Sequence, residues 1–289
     1  MISTEDKARF LKFQINEITE YHIYKRLAQF HKKEENRQIL AELSKEELSH
    51  YQLLKKFTGE LPPPKMGRVR LYTWIARFFG LTFSIKLMER GEKMAQQAYS
   101  THNEWKELQQ IANEEKTHET KLIALINEEG LNYMGSVVLG LNDALVEFTG
   151  ALAGYTFALQ HSKLVALTGA ITGIAAALSM AASEYLSTRT ENDPAKNAIK
   201  AAVYTGIAYI ITVTVLILPF VLLNNVYWGL GICLLGALLI IAIFNYYYSV
   251  VKSENFKQRF IEMSCISLGI ATISFFIGYA LRIFTGIEL

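Results

Sequence analysis

The second half of this 289-residue chain contains long segments without a single charged residue. Residues 201–223, 226–251 and 263–281 hold no Asp, Glu, Lys or Arg. Each segment approaches or exceeds the ~20 apolar residues that a helix needs to cross a bilayer. The sequence therefore predicts three membrane-spanning helices in these segments.

Two further spans are predicted upstream of these three. Residues 164–183 are uncharged and rich in Ala and Gly, and residues 135–160 are apolar except for Asp143 and Glu147. A charge inside the bilayer costs about 2.5–3.5 kcal/mol on insertion scales and usually has a function. We therefore predict five spans, the first of them a transport helix. The polar N-terminus predicts no cleavable signal peptide ahead of them.

The distribution of charge divides the chain into two parts. Of the 56 charged residues (29 basic and 27 acidic), 40 lie in residues 1–130. This half is long enough for one soluble domain, so we predict a soluble domain at 1–130 and a membrane domain at 131–289.

Basic residues concentrate between spans two and three and between spans four and five, which predicts a cytoplasmic N-terminal domain and a C-terminus outside. No basic stripe indicates nucleic-acid binding.

A pattern of metal-ligand type occurs twice in the first half. It consists of a lone Glu, a Tyr seven residues later, and then a Glu-x-x-His motif. The first copy is Glu17, Tyr24, Glu47 and His50, and the second is Glu92, Tyr99, Glu115 and His118. The i,i+3 spacing places the carboxylate and the imidazole on one helix face. Two such helix pairs supply the ligand set of a dinuclear iron site in a four-helix bundle.

Apolar positions at helical spacing predict the helices of this bundle. The four segments are residues 3–32, 34–58, 82–100 and 103–128. The prolines at 62–64 break the chain between the second and third of them.

A basic and aromatic crossover at residues 68–81 follows the prolines, and its length suits a ferritin-like topology. Basic and aromatic side chains together fit either a membrane headgroup surface or ordinary packing. The side chains in question are Arg68, Arg70, Trp74, Arg77 and Phe78.

The first half resembles rubrerythrin-type ferritin-like proteins over nearly its whole length. The residues that fall on that family's ligand pattern are Glu17, Glu47, His50, Glu92, Glu115 and His118. The resemblance implies a further carboxylate ligand at Glu89. Glu20, one turn from Glu17, is another candidate ligand, with a solvated side chain as the alternative. Peroxidases of that family also carry a four-cysteine iron centre, which Cys233 and Cys265 alone cannot build; both are predicted to pack as small apolar residues.

Two polar pairs stand out within the predicted spans. Asp143 and Glu147 are one helical turn apart, as are Met180 and Glu184. If the hairpin turns near residue 162, Asp143 lies level with Met180. Carboxylate oxygens and a thioether sulfur suit a borderline cation such as iron(II). The alternative is a structural role, with the carboxylates hydrogen-bonded inside a bundle or Glu184 at the lipid interface.

Small residues recur on the same two spans. Gly150-x-x-x-Gly154 and Gly169-x-x-x-Gly173 predict close backbone approach. In so small a protein, a pore is more easily formed between two protomers.

The membrane half resembles the vacuolar iron transporter family, most clearly at residues 142–147 (NDALVE) and 177–187 (ALSMAASEYLS). The resemblance implies five spans, a homodimer, and movement of iron(II) out of the cytoplasm in exchange for protons. The whole chain is similar to the membrane-bound ferritin-like iron exporters of bacteria.

The sequence thus predicts an all-α protein, a ferritin-like four-helix bundle followed by a five-span membrane domain. The function predicted is proton-coupled export of iron(II) across the cell membrane, with a diiron bundle that captures, senses or oxidises iron. The transport residues are Asp143, Glu147, Met180 and Glu184. One alternative is a membrane-anchored diiron ferroxidase or peroxidase, and another is a manganese(II) transporter, because the same ligands hold either metal.

Overall fold

The apolar periodicity of the polar half produces four helices within the part of the chain that the structure describes. This computed structural model describes residues 4–31, 33–97, 111, 114, 132–191 and 196–285, with the backbone alone at residues 89 and 91–97. The helices are α1 (Thr4–Phe30), α2 (Glu34–Thr58), α3 (Met66–Phe79) and α4 (Leu81–Gln97). The predicted helices at 3–32 and 34–58 are confirmed. The predicted segment 103–128 lies outside the described residues, apart from helical positions 111 and 114.

The chain divides into two compact units, Met1–Glu128 and Glu129–Leu289. In the first unit α1 packs along α2, and α3 packs against α1 and α4. The apolar core between these helices is formed by Ile23, Tyr24, Leu27, Leu40, Leu43, Val69, Leu81, Ile85 and Met88. A smaller apolar cluster, which includes Phe10 and Leu54, lies nearer the beginning of α1 and the end of α2.

Polar side chains of α1 and α2 hold the proline-rich loop in place. Gln14 is fully buried; its amide donates to the Glu60 carbonyl at 3.0 Å and accepts from the Thr58 hydroxyl at 2.7 Å. The Tyr51 hydroxyl donates to the Pro62 carbonyl at 3.3 Å. Burial raises the pKa of Tyr51 above its ordinary value, so the hydroxyl stays protonated and able to donate.

The crossover at 68–81 is largely a helix, which sequence analysis did not predict. α3 buries one narrow face, with Val69 fully enclosed and Tyr72 and Ala76 half-buried beside it. Gly80 lies between α3 and α4 and has a φ of 94°. A positive φ interrupts the helix, and glycine adopts it easily because it has no Cβ atom.

The second unit contains five helices long and apolar enough to cross a membrane, as predicted. They are the first span (Met134–Leu159), second span (Ser162–Glu191), third span (Ala198–Leu222), fourth span (Val226–Lys252) and fifth span (Phe256–Thr285). The second span runs eight residues beyond the predicted end at 183. Residues 184–191 contain neither Gly nor Pro, so nothing in them ends the helix.

Asparagine side chains start three of the spans. Asn197 accepts a hydrogen bond from the Lys200 N–H at 3.1 Å. Asn225 accepts from the Tyr227 and Trp228 N–H groups, and Asn255 caps the fifth span in the same way. Each cap satisfies backbone donors that have no partner within the helix.

Glycines let the spans approach closely, as the small-residue spacing predicts. Gly150 and Gly154 face Ile270 and Ser274 of the fifth span. Gly169 and Gly173 receive apolar side chains of the first and third spans, among them Phe148. Both glycine pairs therefore contact spans of the same chain.

We predict that Gly278→Ala destabilises the membrane unit, whereas Gly269→Ala on the same helix does not. A Cβ atom at Gly278 would overlap the backbone carbonyl of Gly154, while one at Gly269 meets nothing within 4 Å. Overpacking of this kind costs about 1–3 kcal/mol. Thermal unfolding of the two purified variants in detergent checks this, and equal transition temperatures would contradict the packing described.

Candidate metal sites

Three of the predicted ligands meet in the interior of the N-terminal unit. Glu17 on α1 and Glu47 and His50 on α2 are 9%, 1% and 2% exposed. His50 Nδ1 lies 3.3 Å from Glu17 Oε2 and 3.8 Å from Glu47 Oε2. One ligand atom from each residue lies within 4.8 Å of the others. They meet because α1 and α2 pack side by side, with the i,i+3 pair of α2 facing α1.

The chemistry of these donors suits a divalent cation. A buried charge is costly unless it is paired or bound to a metal, and two carboxylates are buried here beside His50. Glu17 Oε2 has no hydrogen-bond partner among the described residues. Mixed carboxylate and imidazole donors are typical of iron, manganese and zinc sites. The Glu17–Glu47–His50 group could therefore hold a metal ion.

Glu114 also reaches this group, and sequence analysis did not single it out. Its Oε2 lies 3.0 Å from His50 Nε2, so that both ring nitrogens of His50 face carboxylates. Glu114 directly precedes Glu115 of the second motif, and this adjacency was the only signal in the sequence.

Glu20 is buried, at 7% exposed, so its side chain is not solvated. It does not join the group of clustered ligand atoms found among the described residues. The remaining predicted ligands lie outside the residues whose side chains are described: Glu89, Glu92, Glu115 and His118.

The first span is not a continuous α-helix, and its irregularity coincides with the two acidic residues. An α-helix runs from Met134 to Asp143, a π-helical turn occupies Ala144–Phe148, and an α-helix resumes at Thr149–Leu159. Such turns widen the helix and are frequent at functional sites. The Ser267 hydroxyl of the fifth span donates to the Leu145 carbonyl within the turn. A hydrogen bond from another span thus helps to hold this turn.

Asp143 directly precedes this turn and Glu147 lies within it, and both interact with each other and with Tyr209. Tyr209 belongs to the third span and is fully buried, with its hydroxyl beside the Asp143 carboxyl. Asp143 Oδ2 and the Tyr209 hydroxyl complete no well-aligned hydrogen bond with any described residue. Two buried polar atoms here therefore have free capacity for a cation, a proton or water.

The two polar residues of the second span occupy different levels. Met180 is half-buried against the apolar core that includes Ala144 and Tyr209. Glu184 accepts a hydrogen bond from the Ser136 hydroxyl at 2.6 Å. Ser136 precedes Asp143 by seven residues, about 10 Å along a helix axis. The predicted transport residues are therefore spread along the spans, with Glu184 nearer the start of the first span.

Glu147 is exposed on the surface of the five-span unit, whereas Asp143 is half-buried. A carboxylate that faced hydrocarbon would incur the full cost of burying a charge in lipid. Glu147 has Asp143 of its own span as a neighbour, and its exposed side chain would still contact lipid unless a further polar group covers it.

Residues 134–200 match the sequence model of the VIT family. This match supports a vacuolar iron transporter family membrane domain and suggests a transporter of metal ions, iron or manganese. It includes Asp143, Glu147, Met180 and Glu184. Together with five membrane-length helices, it indicates a multi-pass membrane protein. No curated protein and no solved structure matches the chain.

We predict that His50→Ala lowers iron binding by the full-length protein in detergent, because it removes the imidazole between two buried carboxylates. His31→Ala is the matched control, since His31 directly follows α1 and its ring nitrogens bond to Lys33 and Asn36 and to no other described residue. Iron retained after gel filtration, measured by elemental analysis, provides the comparison. Equal iron content in the two variants would exclude His50 as a ligand.

Proposed function

We propose that this protein exports iron(II) through its five-span unit, in the cytoplasmic membrane. The principal support is the polar group in the first and third spans, where two carboxylates and the Tyr209 hydroxyl adjoin a π-helical turn. Intramembrane acidic residues of this kind mark ion pathways by default. The thioether of Met180 adds a soft donor, which favours iron(II) over a hard cation such as magnesium.

The ion would pass along the first span in three steps. Glu184 and Ser136 would receive it at the cytoplasmic end, Asp143 and Met180 would bind it, and Glu147 would lie beyond them. The cytoplasmic placement of the N-terminal unit rests on basic residues in the loops between spans two and three and between spans four and five. Each carboxylate can hold either a proton or the cation, so exchange of the two gives proton coupling.

The transporting form would be a homodimer. Exposed Glu147 supports this, because a second protomer covering the first span would remove the carboxylate from lipid. The predicted GxxxG glycines do not supply that interface, since both pairs contact spans of their own chain.

The N-terminal unit would be a ferritin-like bundle with a dinuclear iron site. Glu17, Glu47 and His50 would hold one side of it, and the second copy of the pattern would complete it: Glu92, Glu115, His118 and the carboxylate of Glu89. When bound, such a centre supplies redox chemistry with dioxygen or peroxide. Within the chain itself, α1 and α2 orient the carboxylates, and the surrounding core excludes water from them.

A membrane-anchored diiron ferroxidase is the second candidate, favoured by the burial of the Glu17–Glu47–His50 group. Manganese(II) is the other possible cargo, because these ligands bind it as well. Substitutions in the full-length protein distinguish the two functions. An exporter loses flux on substitution of Asp143 and keeps its iron-binding bundle, whereas an oxidase loses its activity on substitution of His50 and does not depend on Asp143.

We predict that Asp143→Asn reduces iron(II) flux in proteoliposomes to the level of protein-free vesicles. The change keeps the shape of the side chain and removes both its charge and its titratable proton. Glu191→Gln is the control, since Glu191 lies at the end of the second span in an exposed ion pair with Lys196. Wild-type flux in Asp143→Asn would show that this carboxylate has a structural role and is not needed for transport.

Tyr209→Phe is predicted to raise the iron(II) concentration for half-maximal flux about 10-fold, as loss of a group that orients a metal ligand does. The maximal rate should change less. Tyr155→Phe is the matched control, because Tyr155 is also intramembrane but bonds to Thr172. If both variants shift the concentration dependence equally, the effect is general packing and Tyr209 has no specific role.

A further inference from the structure

Helix α3 buries little of its own surface. Of its fourteen residues only Val69 is fully enclosed, and Tyr72 and Ala76 complete the face that packs on the core. The opposite face carries three large apolar side chains. Leu71, Trp74 and Phe78 are 53%, 56% and 64% exposed.

These three side chains form one patch. Spacings of three, four and seven residues place them on the same face of a helix. The rings of Trp74 and Phe78 are 4.4 Å apart between centroids. Exposed single apolar residues are common on proteins, but an aligned group of this kind marks an interaction surface.

The charge around this patch has one sign. Residues 61–88 contain five basic residues, among them Arg68, Arg70 and Arg77, and no acidic residue. The three arginines are exposed, and none forms an ion pair within the described part of the chain. A partner surface should therefore be anionic around an apolar interior.

We propose that α3 lies in the headgroup region of the membrane. Leu71, Trp74 and Phe78 enter the boundary between headgroups and acyl chains, and the arginines contact the phosphates of anionic lipids. Amphipathic helices with basic and aromatic faces bind membranes in this manner, and Trp is enriched at that depth. This apolar patch and its arginines hold the N-terminal unit on the bilayer. The proposal does not depend on which metal the spans transport.

Because the N-terminal unit and the spans belong to one chain, a weak contact between α3 and the membrane is sufficient. The N-terminal unit ends at Glu128, and the first span begins at Met134. The second unit begins at Glu129, so the N-terminal unit is covalently joined to the unit that holds the spans. Such a tether keeps the local lipid concentration high, so α3 needs far less affinity than a free protein would.

The test places a nitroxide on the full-length protein in nanodiscs. Leu71→Cys is labelled in a chain with Cys233→Ala and Cys265→Ala, and Leu61→Cys is the matched control. Both leucines are exposed, at 53% and 65%, but Leu61 follows the acidic Glu60 and lies outside α3. Collision of the label with dioxygen, which partitions into lipid, is compared with collision with a water-soluble nickel chelate.

We expect the label at 71 to favour dioxygen over the chelate in discs with anionic lipid, and the label at 61 to favour the chelate. Replacing Arg70 and Arg77 by Glu should shift the label at 71 towards water. Each lost arginine should weaken the membrane-bound state about fivefold, equivalent to about 1 kcal/mol per basic residue. Replacing anionic by zwitterionic lipid should shift it in the same direction.

Three outcomes would overturn the proposal. The first is a label at 71 as accessible to the chelate as the label at 61. The second is a label shielded from both reagents, which would mean that protein covers α3. The third is indifference of the label at 71 to both charge reversal and anionic lipid, which would remove the role assigned to the arginines.

Discussion

The cost of placing a carboxylate in hydrocarbon governs the membrane half of this protein. Two acidic side chains lie in the first span, and each needs a cation, a proton or a polar neighbour. For Asp143, the surrounding spans supply polar neighbours. The hydroxyl of Tyr209 reaches it from the third span, and the π-helical turn beside it is held by a hydrogen bond from Ser267 of the fifth span. Glu147 is exposed within the described part of the chain, and this difference is the physical basis for proposing a second protomer.

The same constraint acts in the interior of the N-terminal unit. Glu17 and Glu47 are removed from solvent with a single imidazole between them. Their burial costs stability unless a cation neutralises them. The Glu17–Glu47–His50 group could therefore hold a metal ion. Both halves thus place acidic groups out of water, where a bound cation would offset the cost of burying them.

Much of this architecture could be predicted from the sequence because its signals are local. Charge-free segments of about 20 residues predict membrane spans, and the structure has five helices long and apolar enough to cross a membrane. The i,i+3 spacing of Glu47 and His50 put both on one face of α2. The helical state of α3 was missed because its apolar face is narrow and its other face mixes aromatic with basic residues.

Other features depend on contacts between distant segments. No pattern along the first span distinguishes a π-helical turn from an α-helix, since Asp143 and Glu147 fit either. Tyr209 is 66 residues from Asp143, and only packing of the third span on the first brings its hydroxyl to the carboxyl. Glu114 likewise meets His50 through tertiary packing.

The most direct measurement is metal flux by the wild-type protein in proteoliposomes, with iron(II), manganese(II) and zinc(II) compared at two pH values. Export by proton exchange predicts entry of iron(II) into vesicles with an acidic lumen, accompanied by a rise in lumenal pH and slowed when the pH gradient is removed. Manganese(II) should follow the same path more slowly, and zinc(II) least. Flux no greater than in protein-free vesicles for all three ions, from protein whose N-terminal unit still binds iron, would contradict transport as the function of the five spans.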